Sequence, residues 1–208
     1  TSSSPNIAWC WVEGVTQGFD IVQDVGTGSA HTVSHSLGVV PELIIRKGRD
    51  NTGSGENWRV YHHKNTSAPE TDFIAINTDA ATIDSDEPWN DTAPTSSVFT
   101  VGVQTQVNEN TKNYVTYLFV GVEGYSKFGA YEGNASADGT FVWLGFRPAF
   151  LWIKDIDSVD QWHLKIPPHD TNPVDTYGLT DTASVANLTY GGYQIDFLSN
   201  GFKMRGTG

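Results

Sequence analysis

The pattern of apolar and polar positions along this chain has a period of two. Trp9, Trp11 and Glu13 alternate with Ala8, Cys10 and Val12, and Phe73, Ala75 and Asn77 alternate with Ile74, Ile76 and Thr78. Successive side chains of a strand point to opposite faces, so such runs predict strands, Ala8 to Val12 among them. Residues 98–103 and 114–122 are rich in β-branched and aromatic side chains, which fit a pleated surface. Clusters of Gly, Asn, Asp, Pro and Thr separate the runs about every ten residues. The pattern predicts an all-β chain, an antiparallel β-sandwich of jelly-roll-like type. Residues 80–85 could close a single helical turn, but their Thr and Asp favour turns over a helix interior. Pro41 and Pro148 each precede an apolar run, where a strand's first residue loses no ladder bond. The loops at 84–96 and 167–174 are the longest stretches without periodicity, and loops on a β scaffold are where binding concentrates.

The chain also reads as two copies of one pattern. Leu37-Gly38-Val39-Val40-Pro41-Glu42-Leu43-Ile44-Ile45-Arg46-Lys47 aligns with Leu144-Gly145-Phe146-Arg147-Pro148-Ala149-Phe150-Leu151-Trp152-Ile153-Lys154, 107 residues later. Gly26-Thr27-Gly28-Ser29-Ala30 meets Gly133-Asn134-Ala135-Ser136-Ala137 at the same offset. Trp11-Val12-Glu13-Gly14 meets Gly121-Val122-Glu123-Gly124, and Asn57-Trp58-Arg59-Val60 meets Gln161-Trp162-His163-Leu164. Residues 77–81 meet 180–184. The landmarks keep their order, so two tandem homologous units are expected, residues 1–113 and 114–208, packed as one globule. Two copies are too few for a solenoid.

Composition narrows the function classes. The 208 residues carry 24 acidic and 12 basic side chains, a net charge of −12, which argues against a surface that tracks nucleic-acid phosphates. Aromatics at 12% and charged residues at 17% give enough surface to bury, which excludes a disordered chain. The longest apolar run, residues 117–122, is too short to span a bilayer, so no membrane is expected. Cys10 is the only cysteine, so no intramolecular disulfide can form, and its apolar surroundings predict a buried small hydrophobe.

Candidate chemistry is sparse. His31 and His35 are four apart, but on a strand that spacing spans about 13 Å, too far for two ligands of one metal. His62 and His63 point to opposite faces of a strand. The acidic loops Asp84-Ser85-Asp86-Glu87 and Asp155-Ile156-Asp157-Ser158-Val159-Asp160 lack the glycine of a helix–loop–helix calcium site and read as solvated loops. No privileged carboxylate pair, Gly-x-Ser-x-Gly elbow, phosphate loop or dinucleotide fingerprint occurs. No catalytic residue, metal or cofactor is expected, and the chain reads as a non-enzyme. Asn65, Asn90, Asn134 and Asn187 head Asn-x-Ser/Thr triplets of the kind that a Thr- and Asn-rich chain produces by chance.

Comparing the copies sorts the aromatics. Trp58 with Trp162, and Ile45 with Trp152, are apolar in both copies and read as core. Trp143 faces Ser36, Trp89 has no counterpart, and Tyr125 and Tyr131 meet Val15 and Asp24. A bulky aromatic that the other copy replaces with a smaller or polar residue is a candidate contact. Trp89, Trp143, Tyr125 and Tyr131 are therefore the ligand-contact candidates, with a cell-surface glycan as the chemically reasonable partner.

With those residues in place, the string Val122-Glu123-Gly124-Tyr125-Ser126-Lys127-Phe128-Gly129-Ala130-Tyr131-Glu132-Gly133-Asn134 resembles a β-rich domain family of unassigned function. That family occurs in structural proteins of tailed bacteriophages, notably marine phages. Gly145-Phe146-Arg147-Pro148-Ala149-Phe150, Trp89-Asn90-Asp91-Thr92-Ala93-Pro94-Thr95-Ser96 and Ile195-Asp196-Phe197-Leu198-Ser199-Asn200-Gly201-Phe202-Lys203 continue the likeness. The resemblance implies a virion tail-fibre, spike or surface-decoration module, adhesive and without catalysis. It implies a place on the virion surface or outside the cell, contacts with other virion proteins, and homo-oligomers, trimeric by analogy with fibres. The alternative expectation is a carbohydrate-binding module of a secreted bacterial protein.

Overall fold

The computed structural model describes residues 10–50, 57–166, 172–174, 176–179, 188–189 and 191–207. It is mostly β, and its strand pairs are antiparallel. Strands β1 (Phe19–Val25), β2 (His31–Ser34), β3 (Leu43–Gly48), β4 (Arg59–His62), β5 (Asp72–Ala75), β6 (Ile83–Asp84) and β7 (Val98–Val101) come first. One helical turn, α1 (Thr105–Asn108), precedes β8 (Asn113–Phe119). Then come β9 (Phe141–Trp143), β10 (Leu151–Ile153), β11 (His163–Lys165), β12 (Thr176–Leu179), β13 (Leu188–Thr189), β14 (Ile195–Leu198) and β15 (Gly201–Met204). The residues at 80–85 that could have closed a helical turn instead supply β6, while the α-helical turn α1 lies further on.

A six-stranded sheet runs in the order β1-β8-β3-β4-β5-β6. Its interior strand β8 shows why this sequence makes a sheet. Tyr114, Thr116 and Leu118 are fully buried on one face, while Val115, Tyr117 and Phe119 are half-buried on the other. A strand covered on both faces needs apolar or β-branched residues at nearly every position. On the first face Ile44, Tyr61, Phe73 and Leu118 pack against Val33, Phe99 and Val101 of a β2–β7 ribbon, with Leu37 and Trp89 added from loops. On the opposite face Leu43, Ile45, Val60 and Ile74 form a second core with Trp58, Tyr117 and Phe119. Phe128, Trp152 and Trp162 from the later part of the chain complete it.

The later part has a four-stranded sheet, β10-β11-β12-β13, and a three-stranded one, β14-β15-β9. Leu151, Val174, Ile195, Phe197 and Phe202 form the third core, with Tyr131, Val142, Leu144 and Ile153 against it. Some of its strand pairings can be set beside those of the first part. Ile45 pairs with Val60 as Trp152 pairs with Leu164, and Val60 pairs with Ile74 as Leu164 pairs with Gly178. Phe73 pairs with Ile83 as Tyr177 pairs with Leu188, and Val33 pairs with Phe99 as Val142 pairs with Phe202. Left-handed backbone recurs too: Gly28 (φ 71°) and Ala135 (φ 49°), then Gly38 (φ 71°) and Gly145 (φ 87°), each 107 residues apart.

β8 begins at the expected unit boundary of 113/114 and lies between β1 and β3 in the first sheet, where its two apolar faces complete the first two cores. Two expectations need correction. Cys10 is exposed rather than buried, and residues 10–12 form no strand. Trp11 instead lays its ring 6.4 Å from Phe19 and 6.1 Å from Phe119. Trp9, the prolines at 167 and 168, Asn187 and the 180–184 match lie outside the described residues.

Candidate functional site

Among the described residues a concentrated charge network surrounds Arg46. Arg46 lies on β3 between the first sheet and α1 with none of its surface exposed. Its guanidinium donates to both Asp24 carboxylate oxygens, at 2.7 and 2.8 Å, to Thr116 Oγ1 at 2.7 Å, and to the Val107 carbonyl at 2.8 Å. The Tyr114 ring lies 4.4 Å below it. Asn108 is satisfied in the same way, accepting from Thr27 N–H and donating to the Ser29 and Gly102 carbonyls. Each group there is bound to its own chain, so the network fastens β1, β3, β8 and α1 together.

The surface candidates divide sharply. Trp143 ends β9 opposite Gly201 and is 60% exposed. A Cβ on Gly201 would lie 2.0 Å from the Val142 carbonyl, so only glycine lets β15 approach β9 this closely. The indole has little room toward Gly145 and a lysine over its ring. A Cβ on Gly145 would lie 3.3 Å from its Cζ2. Lys127 Nζ stands 4.6 Å from the ring centroid and donates to the Trp143 carbonyl at 3.0 Å. Phe141, two residues earlier on the same face, is also exposed. A cation over an indole is attracted by the ring quadrupole, which fixes the ring's orientation.

Tyr125 is 66% exposed on the tight turn between Val122 and Ser126, with no ring neighbour among the described contacts. Tyr131 is half-buried against the third core. Its ring meets Phe202 edge-on at 5.8 Å and its hydroxyl donates to Met204 Sδ at 3.4 Å. Burial, aided by the nearby Asp155 charge, pushes its phenol up to about 12. Trp89 is not a surface ring at all. It is 2% exposed and meets Tyr61 edge-on at 6.3 Å. Its loop folds inward because Gly102 N–H bonds the Pro88 carbonyl at 2.9 Å and Gln104 N–H bonds that of Glu87 at 3.2 Å. It plugs the first core and offers no face to a ligand. Trp143 and Tyr125 therefore remain as exposed aromatics.

The acidic loop after β6 lines an open depression of about 610 Å³ with Thr71, Asp84, Ser85, Asp86, Glu87 and Asp91. In the second acidic loop Asp155 accepts from Asp157 N–H at 2.9 Å and Ser158 N–H at 3.2 Å, a turn-forming role. Burial raises its carboxyl, but these bonds, the Ser158 hydroxyl and Lys154 outweigh that and leave it below the ordinary value. His31 hydrogen-bonds with Ser29 O and Thr27 Oγ1, and His35 with Thr95 O. Asn65 is buried, with Oδ1 accepting from Thr82, so its side chain is not available to a modifying enzyme.

The profile of a domain of unknown function, DUF7483, matches residues 1–208. The chain belongs to this family. It matches no curated protein and no solved structure. Within this DUF7483 domain the structure brings Trp143 together with Lys127, a pair of which comparison of the copies reaches only Trp143. Lys127 carried no sequence signal of that meeting. Arg46 stands as the charged residue within an apolar run whose counterpart is Ile153, and that asymmetry was its sequence signal.

Proposed function

We propose that this domain is a non-catalytic adhesive module of a phage virion, at its surface or outside the cell, and that Trp143 is its contact with a cell-surface glycan. The observation that carries the reading is the 60% exposed indole with Lys127 over its ring. A large apolar ring left in water and held in one orientation is costly unless something covers it, and aromatic anchors dominate binding surfaces. The flat faces of sugar rings suit such a platform. Tyr125 serves as a second, outlying contact.

The scaffold in this reading is a jelly-roll-like sandwich of two tandem related units, the first running through Phe119. The shared ladder pairings, the coincident left-handed residues and the matched core positions support it. The virion setting, the contacts with other virion proteins and the homo-oligomeric state rest on the family resemblance of the sequence. Fold-level likeness alone does not carry function.

Glycan-array binding and pull-down on host lipopolysaccharide test the adhesive reading. Trp143→Ala is expected to lower binding at least about tenfold, roughly 1.4 kcal/mol, with an unchanged unfolding midpoint. Wild-type retention by the Ala variant, or an inert wild-type chain at high concentration, refutes it. Release of reducing sugar would replace it with a hydrolase.

A further inference from the structure

With 24 acidic side chains to 12 basic ones, most cations of this chain can find a carboxylate, so one that keeps none stands out. Phe141 and Trp143 lie on the outer face of the β14-β15-β9 sheet, because Val142 between them packs against the third core. Residues directly opposite each other in an antiparallel ladder share a face, so Lys203 stands beside Phe141, and Gly201 and Leu198 continue the row of Trp143. Two cations near this face are already neutralised: Lys203 is bound to Asp138, and Arg205 Nε to Asp196 at 2.6 Å. Lys127 differs. Its ammonium lies 4.6 Å from the Trp143 ring centroid and donates to the Trp143 carbonyl at 3.0 Å, and no carboxylate pairs with it among the described residues. A lysine carries three donors, so this exposed ammonium has donors left over. Asn200, exposed at the tip of the β14–β15 hairpin, accepts through its carbonyl from Leu144 and Gly145 N–H, which ties the tip to the end of β9.

We propose that Trp143 and Lys127 together select a sugar that bears a negative group, a carboxylate or a phosphate. The inference rests on the adhesive reading of Trp143 and deepens it by naming the charge of the ligand. The sugar ring lies against the indole, and its anion takes the remaining donors of Lys127 in charge-assisted hydrogen bonds, which are shorter and stronger than neutral ones. Both contacts fit within one sugar residue, because the carboxylate of a uronic or sialic acid is bonded directly to a ring carbon. The Asn200 amide offers a donor and an acceptor to neighbouring hydroxyls. The charge of the whole chain limits what can approach. At a net −12 the protein repels a dense polyanion at long range, so the site suits single acidic residues spaced along an otherwise neutral glycan. A neutral sugar leaves the ammonium in water, so the charge acts as a preference added to the stacking contact.

Titration calorimetry on the whole chain tests it, with a panel of oligosaccharides carrying uronic acid, sialic acid or phosphate as probes. Each is paired with its neutral counterpart: the methyl ester, the desialylated chain or the dephosphorylated chain. At least one acidic probe is expected to bind at least about threefold more tightly than its neutral counterpart, the scale of an exposed ion pair. The arm that shows the ratio tells carboxylate from phosphate. Lys127→Met is expected to bring the ratio to about one, and Lys127→Arg to keep it, with both variants unfolding at the wild-type midpoint. Equal affinities within every pair, or a preference that persists in Lys127→Met, overturn the proposal. If neutral probes then still bind and Trp143→Ala abolishes that binding, the adhesive reading stands without it. Failure of every probe to bind, acidic and neutral alike, overturns both.

Discussion

Replacing Asp24 with Asn isolates the buried guanidinium of Arg46. The variant keeps the shape of the side chain and one acceptor oxygen, but turns the other oxygen into an NH2 donor and removes the charge that faces a residue with no exposed surface. Taking one partner from a buried pair typically costs about 3–5 kcal/mol, because the remaining charge has lost its water and gained nothing in return. Asp24 itself is 15% exposed, so the converse change is milder. Arg46→Met leaves a carboxylate that water can reach, although Thr116 and the Val107 carbonyl lose their partner, and about 2–4 kcal/mol is expected. The double variant Asp24→Leu/Arg46→Met removes both charges and should cost less than the two single changes combined, with a coupling of at least about 2 kcal/mol. Urea unfolding at neutral pH, followed by tryptophan fluorescence and circular dichroism, reads all of these. With a slope of about 2–3 kcal/mol per molar, Asp24→Asn moves the midpoint down by about 1–2 M. Because the pair is shielded from solvent, about 0.5 M added salt should change its coupling little. An Asp24→Asn cost below about 1 kcal/mol, or additive single changes, would refute the view that this pair fastens the first sheet.

Two further outcomes follow from local chemistry. Burial, then the neighbouring His63 and Lys64 charges, pushes the His62 imidazole down to about 4 from its ordinary 6.5, and its Nδ1 accepts the Lys64 N–H. The unfolded chain takes up that proton near pH 6.5 and the folded one resists it until about pH 4, so this contribution is complete above 6.5 and declines as pH falls to 4. Partial exposure limits the loss to about 2–3 kcal/mol, and His62→Gln should flatten the stability profile between pH 7 and 5; identical slopes would sink the assignment. Thr111 holds φ at 67°, which a β-branched residue tolerates poorly, so Thr111→Asn should raise stability by about 0.5–1 kcal/mol. A lower unfolding midpoint in that variant would contradict the strain.

The alternation of residues 114–122 made β8 legible because both its faces carry apolar side chains. The match of Ile45 to Trp152 and of Trp58 to Trp162 already pointed to core positions, and the second core contains all four. Other features could not be read in this way. Trp89 sits among Pro, Asn, Asp and Thr, and only the bonds that fold its loop onto Gly102 turn it inward. Arg46 stands within an apolar run. Its burial depends on Asp24 and Thr116, which reach it from strands 22 and 70 residues away in sequence, and no local pattern reports that meeting.

The core that joins the two sheets has a consequence for how the chain tolerates change. Ile45 and Trp58 stand on one wall, with Trp152 and Trp162 on the other, and Trp162 Nε1–H bonds the Ala75 carbonyl across it at 2.9 Å. Neither wall has a solvent-ready version of itself. Cut between them, each piece would show a greasy aromatic flank and cling to whatever it met. Mutational drift on one side must therefore be answered on the other, and a library that diversifies both walls together should yield more folded members than one that varies either by itself.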